Sequence, residues 1–269
     1  MPDDAVFPFG QKMQQVVQVD RTPKKVFILG VYGSAVHARW LDAQGQTRVH
    51  ALAVASEPEI FWRGENAAEI IARIHIPPKL GTLIPAGQSS NGPSGRALDS
   101  LFLEPLGCFC GDIWLCDMMP HACLNPRQQQ AIAEHCQPVA QPVTAGHGLP
   151  QATIPPVPHS FADDARRQEI FREIEAAQPR LIILLGDQPI RWFLSFYREE
   201  RRLADFGQCP ADYGRVHECR IQGQLHRVLP LVHPRQAGGL SSHSTTWKTR
   251  HSLWIAQRAQ EIRREYLAG

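Results

Sequence analysis

VFILGVYGSAVHARW, running from Val26 to Trp40, decides how this chain is read. Four apolar residues lead into Gly30, and Val31, Tyr32, Gly33 and Ser34 follow. A short, near-continuous apolar run fits a strand buried on both faces, as in a parallel sheet. A strand that ends in glycine and opens into small residues often positions chemistry. This turn holds no acid, and Ser34 is its only aliphatic hydroxyl. His37 and Arg39 come next, either near a bound ligand or on the outer face of a following helix.

Three further runs share this form: DIWLCD (Asp112–Asp117), RLIILLG (Arg180–Gly186) and HRVLPLVHP (His226–Pro234). Helical patterns lie between or after them. Leu98, Leu101, Phe102 and Leu106 recur at helical spacing within Ser94–Leu106, and Pro126 opens a helix over Asn125–Cys136. Ile170, Phe171, Ile174 and Ala177 share a face of Phe161–Gln178. Gln188–Phe196 and Thr245–Leu267 complete the set. The alternation predicts an α/β protein, a three-layer α/β/α sandwich around a mainly parallel four-stranded sheet. The strand ends at Gly30, Asp117, Gly186 and His233 then form one ligand crevice.

A single domain over 1–269 is expected, with an exposed proline-rich insertion at about 137–159 that carries six prolines from Pro138 to Pro158. Pro85–Gly95 reads as a flexible loop covering the site. The net charge of +2 argues neither for nor against nucleic acid, but Arg235–Gly269 alone carries +4. No run of 18 apolar residues suggests a membrane span, and no export signal opens the chain, so a cytoplasmic protein is expected. Free thiols are expected for the seven cysteines, five of which fall between Cys108 and Cys136. Cys108, Cys110, Cys116, Cys123, Cys136, His121 and His135 form a metal-like crowd without paired C-x2-C knuckles, so no metal or other cofactor is expected.

In order, these motifs resemble the uracil-DNA glycosylase superfamily. Gly30-Val31-Tyr32-Gly33-Ser34 resembles the loop that positions the catalytic water. Ser94-Gly95-Arg96-Ala97-Leu98-Asp99 is similar to the family's Ser-Gly-x-x-Leu-Asp helix. Asp117 matches the Asn that reads the flipped base, and Leu185-Gly186 the third strand end. His233-Pro234-Arg235 stands where the family has His-Pro-Ser. The departures are specific. No acid stands near Tyr32, Asp117 replaces Asn, Arg235 replaces Ser, and the iron–sulfur branch's N-terminal cysteine pair is missing.

The resemblance implies a base flipped from DNA and an N-glycosidic bond broken by water through an oxocarbenium-like state. His233 is the candidate donor to the departing base, and Asp117 the candidate base reader or water-orienting group. An ionised carboxylate only accepts hydrogen bonds, so Asp117 favours a base with an amino group, or a modified base, over uracil. Gly30, Val31, Tyr32, Gly33, Ser34 and His37 would line the base pocket, with Tyr32 stacking. In Pro234–His243, Leu240 resembles the wedge that fills the vacated stack, and Arg235, Lys248 and Arg250 would meet phosphates. Two other readings stand beside the enzyme. One is a catalytically silent nucleic-acid or nucleotide binder, and the other a small-molecule nucleoside hydrolase. DNA is the expected partner of a monomer with no obligate protein partner and no membrane.

Overall fold

The structure is a computed structural model that describes residues 4–140, 149–195, 202–207, 212–240 and 244–268. Contacts divide the chain into two compact units. One comprises Met1–Val16, Tyr32–Pro93 and Met119–Phe161, and the other Val17–Val31, Ser94–Met118 and Ala162–Gly269.

The second unit is built on the apolar runs. Strands β1 (Val26–Gly33), β5 (Ile113–Ala122), β6 (Leu181–Leu185), β7 (His217–Ile221) and β8 (Gln224–Leu231) form one sheet in the order β5-β1-β6-β8-β7. β6 pairs in parallel with β1, Val26 opposite Leu181, and with β8, Ile182 opposite Val228. Phe27, Ile28, Leu29 and all of β6 are buried, as strands covered on both faces must be. The sheet is parallel-rich but has five strands, one more than expected. The extra strand, β7, is antiparallel to β8. Gln222 and Gly223 connect the two, both at positive φ (49° and 83°), the backbone of a tight hairpin turn.

Around this sheet lie a helical run over 93–106 with a π turn at Asp99–Leu103, and the helices Asp164–Ala177, Asp187–Leu194 and Ser244–Gln257. Asp163 caps the first turn of Asp164–Ala177 by accepting from the Arg166 N–H at 2.8 Å. The proline-led helix Pro126–Ala131 belongs to the other unit.

That unit corrects the helix reading after β1. Only Ser34 separates β1 from β2 (Ala35–Leu41), which pairs antiparallel with β3 (Thr47–Ser56) and β4 (Thr82–Pro85) in a second sheet, ordered β3-β2-β4. Val36, Ala38 and Trp40 are buried, while His37, Arg39 and Leu41 between them are half-buried. The period is two, not 3.6. Asp42 closes the hairpin, accepting from the Gln44 and Gln46 N–H groups at 3.0 and 2.8 Å. Trp40, Leu52, Phe7 and Trp62 anchor the core here.

The proline-rich stretch is exposed only in part. Residues 141–148 lie outside the described residues. Beyond them Ile154 is buried, and the main chain of Leu124 bonds to Pro155 and Val157. The Pro85–Gly95 loop is tied down as well. Asn91, 2% exposed, accepts from the His37 N–H at 2.8 Å and donates to the His37 carbonyl at 2.9 Å.

Candidate functional site

Gly186 ends β6 at φ 88°, ψ 176°, a backbone region that in practice only glycine occupies. Its N–H donates to the Leu231 carbonyl at 2.8 Å. A Cβ built on it would stand 3.4 Å from the His233 Cβ. The Leu-Gly strand end thus lets the His233 turn lie directly against β6.

His233 is half-buried and is the N-cap of the short helix Pro234–Ala237, with Pro234 at the first helical position. Its Nδ1 accepts from the Arg235 N–H at 3.3 Å. Burial pushes the imidazole pKa down to about 4, and the positive charge of Arg235 adds to this. The ring is therefore neutral near pH 7. With Nδ1 accepting, the single proton sits on Nε2, a neutral donor at the end of the strand.

Asp117 is 4% exposed. β5 runs on to Ala122, so Asp117 lies within the strand rather than at its end. Burial pushes its carboxyl pKa up to about 7, against the opposing pull of Arg166. Arg166 donates to the carbonyls of Asp117 (2.7 Å) and Met118 (3.3 Å) and to Cys116 Sγ (3.2 Å). Its Nη1 also pairs with Glu169 at 3.1 Å and with buried Glu173 at 3.2 Å. Glu173 in turn accepts from Trp114 Nε1 at 2.9 Å. Arg166 thus fastens the main chain of β5, and among the described residues no hydrogen bond reaches the Asp117 carboxyl group.

Asp117 lies on β5 and His233 two residues past the end of β8, and β1 and β6 stand between those two strands. Three inter-strand steps amount to about 14 Å. The two groups do not form a contacting pair. Gly30 and Val31 lie on β1 between them, Gly30 buried and Val31 half-buried.

Tyr32, Gly33, Ser34 and His37 belong to the other unit. Tyr32 stacks on Phe161, with ring centroids 6.0 Å apart and planes 1° from parallel. A Cβ on Gly33 would lie 3.3 Å from the His121 carbonyl carbon, so glycine there admits the close passage of β5. Ser34 is exposed, and its carbonyl accepts from the Glu57 N–H at 3.5 Å. Glu57 is 7% exposed and lines a cavity of about 310 Å³ with Gln11, Lys12, Gln14 and Ser56. Sequence reasoning found no acid in the loop after Gly30. A buried acid residue just past β3, Glu57, is joined to that loop through its main chain, a neighbour that only the second sheet supplies.

Of the phosphate and wedge candidates, Arg235 and Leu240 lie on the turn after His233, and Lys248 and Arg250 on the helix Ser244–Gln257. The N–H groups of Gly238, Gly239 and Leu240 bond to the carbonyls of Pro234, Gln236 and Arg235, and Leu240 is left 47% exposed. The Lys248 side chain packs on Gly239, its Nζ 3.5 Å from where a Cβ would stand, and Arg250 lies 4.9 Å over the Trp247 ring. Arg235 is half-buried beside His233. Ser241–His243, the rest of this loop, lie outside the described residues.

The cysteine-rich segment does not converge. Cys108, Cys116 and Cys136 are buried separately, Cys110 is exposed, and among the described residues no group of three metal-ligating side chains assembles. Among those residues, too, no helix is long and apolar enough to cross a membrane.

Sequence reasoning also missed Tyr213 and His251. Both are 1% exposed, and they are joined Oη to Nδ1 at 2.8 Å.

Comparison with curated proteins finds no match. The family model described as the uracil DNA glycosylase superfamily matches residues 85–253, a span that holds Ser94–Asp99, Asp117, Gly186 and His233. With well over half of its length covered by that model, the chain belongs to the uracil DNA glycosylase superfamily.

Proposed function

We propose that this protein binds DNA as a monomer, holds a flipped base over β1 and β6 between Asp117 and His233, and hydrolyses the base's N-glycosidic bond. His233 carries the reading. A departing base takes the electron pair of the broken C–N bond as negative charge, while the oxygen of water bonds to the anomeric carbon and the water proton passes to solvent. A neutral Nε2–H donor fixed in place lowers the energy of that charge without first having to lose a proton. Helices covering both faces of the sheet, in an α/β/α sandwich, are the architecture that goes with this reading.

Asp117 reads the base edge. Protonated, it offers one donor and one acceptor, as the family's amide does, and matches uracil. Ionised, it offers only acceptors and favours an amino-bearing or modified base. Leu240 would fill the vacated stack, and Arg235, Lys248 and Arg250 would meet the backbone phosphates.

The second reading is a silent binder of nucleic acid, favoured by the lack of any acid from Gly30 to Ser34. Oligonucleotides that each carry a single altered base, treated with alkali after incubation, separate the two. The enzyme leaves alkali-labile strands, and His233→Leu slows their formation by about 10²–10³-fold. Binding without strand lability for every base tested overturns the enzymatic reading.

A further inference from the structure

We propose that Tyr213 and His251 are positioning residues that hold the main chain at Val232 and thereby fix the ring of His233. This inference rests on the reading of His233 as the donor to the leaving base.

Each hydrogen-bond direction in the network is determined. His251 Nε2 lies 3.0 Å from the Leu101 carbonyl, which can only accept, so Nε2 carries the proton. Nδ1 must then accept, and Tyr213 O–H donates to it at 2.8 Å. The Tyr213 oxygen is left to accept from the Val232 N–H at 3.1 Å. Leu101 is available because the residue four positions on is Pro105, which has no N–H to close the helical bond. Val232 needs the partner because β8 ends at Leu231, and a fully buried N–H beyond the ladder is costly to leave unpaired.

The two side chains are rigidly set. The His251 ring lies 4.2 Å from Phe102 and 4.9 Å from Trp254, centroid to centroid. Trp254 Nε1 donates to the Gly214 carbonyl at 3.2 Å, and a Cβ on Gly214 would collide with the indole. Tyr213–Gly214 is thus clamped to helix Ser244–Gln257 at two points. Burial keeps His251 neutral, its pKa pushed down to about 4, as the accepting Nδ1 requires. The element that orients His233 is therefore a tyrosine brace running from the π turn through the C-terminal helix to the last residue before the His233 cap.

The test is Tyr213→Phe, which keeps the ring and removes the oxygen. Hydrogen exchange at the Val232 amide should accelerate about tenfold or more. The ¹⁵N signals of the His233 imidazole should lose the fixed Nε2–H tautomer. Single-turnover base release should fall on the order of 10²-fold with DNA affinity unchanged. If Tyr213→Phe does not fold, His251→Asn and His251→Leu replace it. The amide keeps an acceptor for the tyrosine and preserves the His233 signals, whereas leucine loses them. Unchanged Val232 exchange and His233 tautomer in a folded Tyr213→Phe or His251→Leu protein overturn the inference. If the wild-type protein releases no base, the enzymatic reading fails alone, and the exchange and imidazole signals still decide the brace.

Discussion

The α-carbon of Gly186 backs directly onto the Cβ of His233, with room between them for one methyl group at ordinary contact distance and no more. The space would tolerate alanine, but the φ of 88° would not. Gly186→Ala should therefore cost about 1–3 kcal/mol in urea denaturation. Gly186→Val adds bulk against the ring and should cut base release far more than its loss of stability explains. Equal activity per folded molecule for the two variants would refute this geometry.

Asp117 makes stability depend on pH in a defined direction. Its carboxyl pKa moves from 3.8 in an open environment to about 7 in the fold. Between those values the folded protein holds a proton that the unfolded chain releases, so stability falls as pH rises through this window. Above it the full cost remains. Asp117→Asn removes that cost and should stabilise the protein above pH 7 by up to about 4 kcal/mol. His233 and His251 act oppositely. Folded-state values of about 4 against 6.5 mean their stabilisation is lost as pH falls toward 4. Urea titrations across the acid-to-neutral range should show a steeper rise with pH in Asp117→Asn than in wild type.

Under the proposed reading of the base by Asp117, the same proton sets base choice. Uracil release relative to release of an amino-bearing base should be highest below about pH 7 and fall above it. In Asp117→Asn the uracil preference should persist across that range. A wild-type ratio independent of pH would remove Asp117 from the reading of the base.

Arg166 and Glu173 form a buried pair whose disruption exposes the cost of a lone charge. Arg166→Met should lose about 3–5 kcal/mol, because it leaves buried Glu173 with only the Trp114 hydrogen bond and the longer 4.0 Å pair to Arg21, and releases the Asp117 and Met118 carbonyls. Adding Glu173→Gln should recover part of that loss in a double-mutant cycle. It should not restore the main-chain bonds of β5.

The proposed phosphate contacts of Lys248 and the Leu240 turn carry a salt signature. Affinity should fall with added salt, and Lys248→Ala should reduce the slope of log affinity against log salt by about one. Binding insensitive to salt would exclude phosphate contact at this turn.

The five-stranded sheet was largely legible in the sequence because its central strands are uninterrupted apolar runs, and Gly186 and His233 sit at the ends of two of them. β7 was not, since HECRI carries only one strong strand former, yet Gln222-Gly223 before the HRVLPLVHP run marks a hairpin. The second sheet was hidden by composition. Ala35, Ala38 and Ala53 favour helices, and only the alternation of Val36, Ala38 and Trp40 betrays β2. Glu57, Arg166, Tyr213 and His251 could not be read from the chain because the main-chain and ring partners that set them in the fold lie 19 to 150 residues away and carry no local motif.

The tie between Asn91 and His37 also bears on how the protein ages. Asn91 precedes Gly92, the dipeptide in which an asparagine amide cyclises and deamidates most readily. In the fold, both ends of that amide are occupied by one strand residue, and the group is shielded from water. Each excursion to the unfolded chain releases it. Once converted to a carboxylate, it would face the His37 carbonyl with charge where it had offered a proton, and the loop could not be fastened again in the same way. A single amide thus records how often this unit has opened.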